Sequence, residues 1–152
     1  MTDSSMIIFK AINNYNLEEE TFMDEKEALE IALPVVKKVV NWLSAKQYKK
    51  LPDLIVLDDD WTPALVKEML EEYLKLNEFR SVDPFGTPLK ETIVNYEYKQ
   101  MSIIPYQDGS GFHLDYELTS KGGEWNDLTL QLSFEKDADG KVVPHFKDLH
   151  VM

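Results

Sequence analysis

At 152 residues the chain has the length of one domain, a size that buries about 70% of the unfolded surface, and its 43% hydrophobic and 11% aromatic content excludes a disordered chain. A formal net charge of −12, with Arg80 as the one arginine among 16 basic residues, argues against nucleic acid or nucleotide as a ligand and favours encounter with a basic partner. The lack of cysteine excludes disulfides, thiolate metal sites and a cysteine nucleophile, and with neither a secretory leader pattern nor a run of about 18 apolar residues, a cytoplasmic protein without a membrane span is expected.

Residues 1–23 read as an N-terminal segment that is only partly ordered, in which "MIIFKAI" is a short strand or a helical turn. Residues 24–152 read as a single α+β domain. Asp24, with Glu27 three residues on, forms a capping box, and Ala28, Ala32, Val35, Val36, Val39, Val40 and Leu43 make one buried helical stripe. Pro34 falls inside that stripe without changing its phase, which predicts a kinked helix rather than two helices. In "LIVLDDDWTPALVKEML" Thr62 is a good N-cap, Pro63 suits the first helical position, and Trp61 with Val66 suits a hydrophobic staple. Asp58, Asp59 and Asp60 therefore lead into a helix start, where exposed amides and the macrodipole favour negative charge. Three consecutive side chains cannot converge on one cation without distant ligands. The second helix is expected from Pro63 to Asn77, with Leu65, Val66, Met69, Leu70, Tyr73, Leu74 and Leu76 on a wide apolar face. "NEFRSVDPFGTPLKE", with two prolines and a glycine, reads as a loop joining a helical half to a strand half.

From there the pattern has period two. Val94, Tyr96 and Tyr98 oppose Asn95, Glu97 and Lys99, and "MSIIPY" shifts the phase near Gln100. Phe112, Leu114, Tyr116 and Leu118 face inward and His113, Asp115, Glu117 and Thr119 outward; Leu128, Leu130, Leu132 and Phe134 form the next inward row. Keeping both rows on one face requires paired numbers with an even sum, as in Phe112 with Phe134 and Leu114 with Leu132. "DADG" turns the chain into a last strand whose Val142, Phe146, Leu149 and Val151 are expected to be buried. The spacing predicts two or three N-terminal helices packed on a curved antiparallel sheet of four to five strands.

Candidate sites are weak as motifs. "EKDADG" has the alternating acids of a calcium loop, but the closing bidentate acid would fall at Phe146 and strands flank it, so it reads as a hairpin turn. His113 and Asp115 make a minimal acid/base pair on an outward strand face, and His150 near the chain end reads as structural. There is no phosphate loop, no serine elbow and no helical histidine pair, so no catalytic, cofactor or metal residue is identified. What remains for a basic partner protein is Asp58, Asp59, Asp60, Glu97, Asp115, Glu117 and Glu135; Met69, Tyr73, Tyr96 and Tyr98 are the candidate lining of an apolar pocket.

The helix ending in "VVNWLSAKQYKKL", the second helix and the following meander resemble the cone-shaped NTF2-like α+β fold over about residues 25–152, and "DLTLQLSFE" through "DLHVM" resembles an uncharacterised bacterial domain. That resemblance implies an architecture shared by enzymes, small-molecule binders, interaction modules and toxin-immunity proteins. The expectation is a non-enzymatic acidic interaction protein, in its sharpest form an immunity protein that covers a basic toxin. The alternative is a pocket protein that binds or transforms an apolar small molecule.

Overall fold

The computed structural model describes residues 24–90 and 100–151. Asp24 Oδ1 accepts a 2.7 Å hydrogen bond from the Glu27 amide and so opens α1 (Glu25–Ser44), which buries Ala28, Ala32, Val36, Val39, Val40 and Leu43. The helix runs through the exposed Pro34 without interruption. With the proline on the wet face, the Glu30 carbonyl that loses its intrahelical donor lies on the same side, where water can serve it. A 3-10 helix (Tyr48–Asp53) then inserts Tyr48 and Leu51 into the core. Thr62 Oγ1 accepts from the Leu65 amide at 3.1 Å to start α2 (Pro63–Leu76).

The face that α2 buries is narrower than the sequence suggests. Val66, Leu70 and Leu74 are buried, while Met69 and Leu76 are 44% and 76% exposed. The helix packs along one line, on the 3-10 helix and on the last strand, and residues four apart suffice for that line.

Between the 3-10 helix and α2 lies β1 (Val56–Leu57); β2 (Met101–Pro105), β3 (Gly111–Ser120), β4 (Glu124–Lys136) and β5 (Val142–Val151) follow. The sheet order is β1-β5-β4-β3-β2, and β1 is parallel to β5. The sheet is therefore mixed, not wholly antiparallel. The aliphatic "LIVL" run brings the chain from the helical half to the free edge of β5, and the ladder continues through the Asp58 amide, which donates to the Phe146 carbonyl at 3.2 Å.

β3 and β4 pair in the expected register, Phe112 opposite Phe134 and Leu114 opposite Leu132, and the two phenyl rings stack at 4.7 Å with planes 9° apart. Asp137 Oδ1 accepts from the Asp139 and Lys141 amides, both at 2.9 Å, which confirms "DADG" as a hairpin turn. In β5 the register changes between Leu132–Phe146 and Gln131–Asp148, leaving Lys147 without an opposite residue. That bulge lets Phe146 and Leu149, three residues apart, both reach the core. Val151, expected inside, is 53% exposed. β1 covers the β5 edge at His145 and Phe146, so the end of β5 is less enclosed.

The loop read as a linker is tied down. Val82 is buried and bridges to Ser120, the Asp83 carboxylate accepts from Thr119 Oγ1 and from the Gly122 and Gly123 amides, and Asn41 Oδ1 accepts from the Phe85 amide. The expected strand around Val94, Tyr96 and Tyr98 lies outside the described residues.

Candidate functional site on the outer face of the sheet

Because the inward rows of β3 and β4 are apolar, the intervening side chains share the opposite face. Ile104, His113, Ser133, His145 and Val56 lie in one row across all five strands, and Ser102, Asp115, Gln131 and Asp148 lie in the next. His150 is opposite Thr129, so all three histidines are on this face.

At its β1 end the face carries a connected polar network. His145 Nδ1 lies 2.8 Å from Asp58 Oδ1, and Lys147 Nζ donates to Asp58 Oδ2 at 2.8 Å. His145 Nε2 stands 3.7 Å from Glu135 Oε1. Ser133 Oγ donates to Glu135 Oε2 at 2.7 Å, and since its hydrogen is used there, Tyr106 O–H is the donor in the 2.7 Å contact with Ser133 Oγ. Ser133 is fully buried, and the Asp58 and His145 side chains are 18% and 20% exposed. Burial pushes the Asp58 carboxyl upward, but hydrogen bonds from Lys147 and His145, together with the nearby ammonium, more than offset this and hold it below the usual carboxylate range. The same Asp58 bond holds the Lys147 ammonium above its ordinary value.

Local geometry explains the convergence. The β5 bulge leaves both His145 and Lys147 on the outer side, and after β1 the chain turns sharply, with the Trp61 amide donating to the Asp58 carbonyl and Asp59 at φ 55°. The three acids are thereby separated. Asp58 enters the network, while Asp59 and Asp60 remain exposed. Trp61 packs edge-on against Phe146 at 5.0 Å, anchoring the turn to the core.

Elsewhere on the face His113 Nε2 is 2.7 Å from Asp115 Oδ1, and Thr129 Oγ1 donates to Glu117 Oε1 at 2.9 Å. Asp58, Asp115, Glu117 and Glu135 are thus brought to one surface, whereas Glu97 lies outside the described residues. Of the candidate pocket residues the structure describes two. Met69 is exposed, Tyr73 stacks on Phe79 at 6.4 Å, and Tyr96 and Tyr98 lie outside the described residues. A cleft of about 920 Å³ opens instead beside the start of α2, between Tyr48, Thr62, Glu71 and the lysines Lys46, Lys50 and Lys67. A second, of about 600 Å³, is bordered by Tyr106, Asp108, Ser110, Glu135 and Lys136.

Sequence reasoning missed Tyr106, Ser133, His145 and Lys147. One signal was present: buried Phe146 and Leu149 differ in parity, which requires a bulge between them and puts His145 and Lys147 outside.

Among the described residues no helix is long and apolar enough to cross a membrane. No curated protein and no solved structure matches the chain. Residues 40–152, well over half of the sequence, match the family model described as a domain of unknown function (DUF7668). By that match the chain belongs to the DUF7668 family, and the outer-face network falls wholly within the matched region.

Proposed function

We propose that this protein is a non-enzymatic binding protein whose outer sheet face docks a basic protein. One observation carries the reading: Asp58, Asp115, Glu117, Glu135 and Asp148 share that face with Lys147 as the opposing ammonium, on a chain of formal charge −12. Such a surface steers a cationic partner and selects against acidic ones. A toxin neutralised by being covered is the sharpest form of this proposal. The NTF2-like kinship and a bacterial, cytoplasmic setting belong to it as well, supported by the helices-then-meander order and by the lack of cysteine. The pocket-protein alternative has less to rest on, because neither Met69 nor Tyr73 borders either of the two clefts described above.

The test is affinity capture from the native host at low salt, comparing the wild type with an Asp115→Asn/Glu117→Gln/Asp148→Asn triple variant. The expected result is a basic protein retained by the wild type, released by added salt, and missing from the variant. Equal capture by both proteins, or a partner that is itself acidic, overturns the reading.

A further inference from the structure

The bonds around His145 turn its second ring nitrogen toward a second carboxylate. Asp58 Oδ1 takes the Nδ1–H of the imidazole at 2.8 Å, so in the neutral ring Nε2 carries a bare lone pair. That lone pair faces Glu135 Oε1 at 3.7 Å, and the carboxylate oxygen is also an acceptor. Two acceptors that face each other repel unless something positive lies between them. A hydrogen bond between two such atoms would be about 2.7–3.2 Å long. A separation near 3.7 Å is instead close to the spacing of two ligands on one cation, since ligand bonds of about 2.0–2.2 Å at a tetrahedral angle put the donors about 3.4 Å apart.

The surroundings fit the same reading. A metal-bound histidine commonly gives its other N–H to a carboxylate, which fixes the tautomer and raises the basicity of the ligating nitrogen, and Asp58 occupies that position, itself held by Lys147. Glu135 is oriented in the same way: Ser133 occupies its Oε2, with Tyr106 behind Ser133, which leaves Oε1 facing His145 among the described residues. Ligand atoms of Asp58, Glu135 and His145 lie within 4.8 Å of one another. Glu135 borders the 600 Å³ cleft and its side chain is 38% exposed, so water can reach the Glu135 side of the pair.

We propose that His145 Nε2 and Glu135 Oε1 bind a divalent transition-metal cation of the zinc class, with Asp58 as the carboxylate that positions the imidazole. Imidazole with carboxylate suits zinc and its neighbours better than calcium or magnesium, which prefer all-oxygen shells. Lys147 cancels one of the two carboxylate charges, so the affinity is expected in the micromolar range, below that of a closed structural site. This inference is independent of partner docking, which would proceed on the remaining carboxylates without a metal.

The experiment titrates Zn2+ into chelator-treated full-length protein by calorimetry, with Mg2+ as the comparison ion and circular dichroism as the folding control. The expected result is one equivalent of Zn2+ bound and Mg2+ not bound, with the signal lost in both His145→Ala and Glu135→Gln and weakened by about ten- to a hundredfold in Asp58→Asn. His113→Ala removes an imidazole of the same face and is expected to bind as the wild type does. No binding by the wild type overturns the proposal. So does undiminished binding by folded His145→Ala and Glu135→Gln, or loss in His113→Ala equal to that in His145→Ala.

Discussion

Glu117 shows how the crowding of acids on the outer face acts on a single residue. Burial raises its carboxyl above the ordinary value; the bond from Thr129 Oγ1 works against that, and the charges of Asp115 and Asp127 add to it. The folded protein therefore holds the Glu117 proton more tightly than the unfolded chain does. Ionising this group at neutral pH costs stability, and the cost is absent below the unfolded value of 4.5. Glu117→Gln keeps the acceptor for Thr129 and removes the charge. It should melt higher than the wild type near pH 7, with the gap closing as the pH falls below that value, which melting curves from about pH 4 to about pH 8 would show. A variant less stable than the wild type at neutral pH would contradict this. A second residue-scale constraint is steric. Gly111 has φ 146°, and a Cβ there would run into the Phe134 carbonyl across the β3–β4 ladder, whereas Gly86, at φ 87°, has open space around it. Gly111→Ala is expected to lose more than ~1 kcal/mol in urea denaturation, and Gly86→Ala less than Gly111→Ala.

At the scale of elements the strongest expectation concerns the loop from Val82 to Lys90. Asp83 accepts three hydrogen bonds from the β3–β4 hairpin, from Thr119 Oγ1 at 2.8 Å and from the Gly122 and Gly123 amides at 3.0 and 2.7 Å. Asp83→Ala leaves those donors without their acceptor and should cost about 3 kcal/mol. The checkable outcome is a lower urea midpoint with an unchanged slope. Nothing in "NEFRSVDPFGTPLKE" announces this clamp, because its partners lie 36 to 40 residues away. The same distinction runs through the fold. The Asp24 and Thr62 caps, the α1 stripe, the Phe112–Phe134 register and the "DADG" turn were legible because each rests on spacings of two to four residues or on one even-sum rule for a hairpin. The parallel docking of β1 was not, nor was the convergence of Asp58 with His145, 87 residues apart. Helical periodicity says which side of α2 is apolar but not how wide a strip its neighbours cover, which is why Met69 read as a buried residue. The outward acids of β3 and β4 were visible as alternation; the imidazole between two of the carboxylates depended on the bulge at Lys147.

For the molecule as a whole, a charge of −12 on 152 residues acts on two equilibria with opposite signs. Folding gathers 28 acidic side chains against 16 basic ones into a smaller volume, so self-repulsion favours the expanded chain, and salt that screens it should raise the melting temperature. The proposed docking of a basic partner would draw on the same field as attraction, so the same salt should slow association and raise the dissociation constant. Between about 50 mM and about 500 mM NaCl the Debye length falls from about 14 Å to about 4 Å, a range over which a field spread across the sheet face is largely removed while close pairs such as Lys147–Asp58 at 2.8 Å persist. The measurement is a paired one, with melting temperature and dissociation constant determined across that series on the same protein and its captured partner. Both should rise together. A melting temperature that falls with salt would mean that attractive surface pairs outweigh the net repulsion, and an affinity indifferent to salt would mean that the partner is held by apolar contacts, which would move the docking surface away from the outer face and toward an exposed apolar residue such as Leu76 at the end of α2.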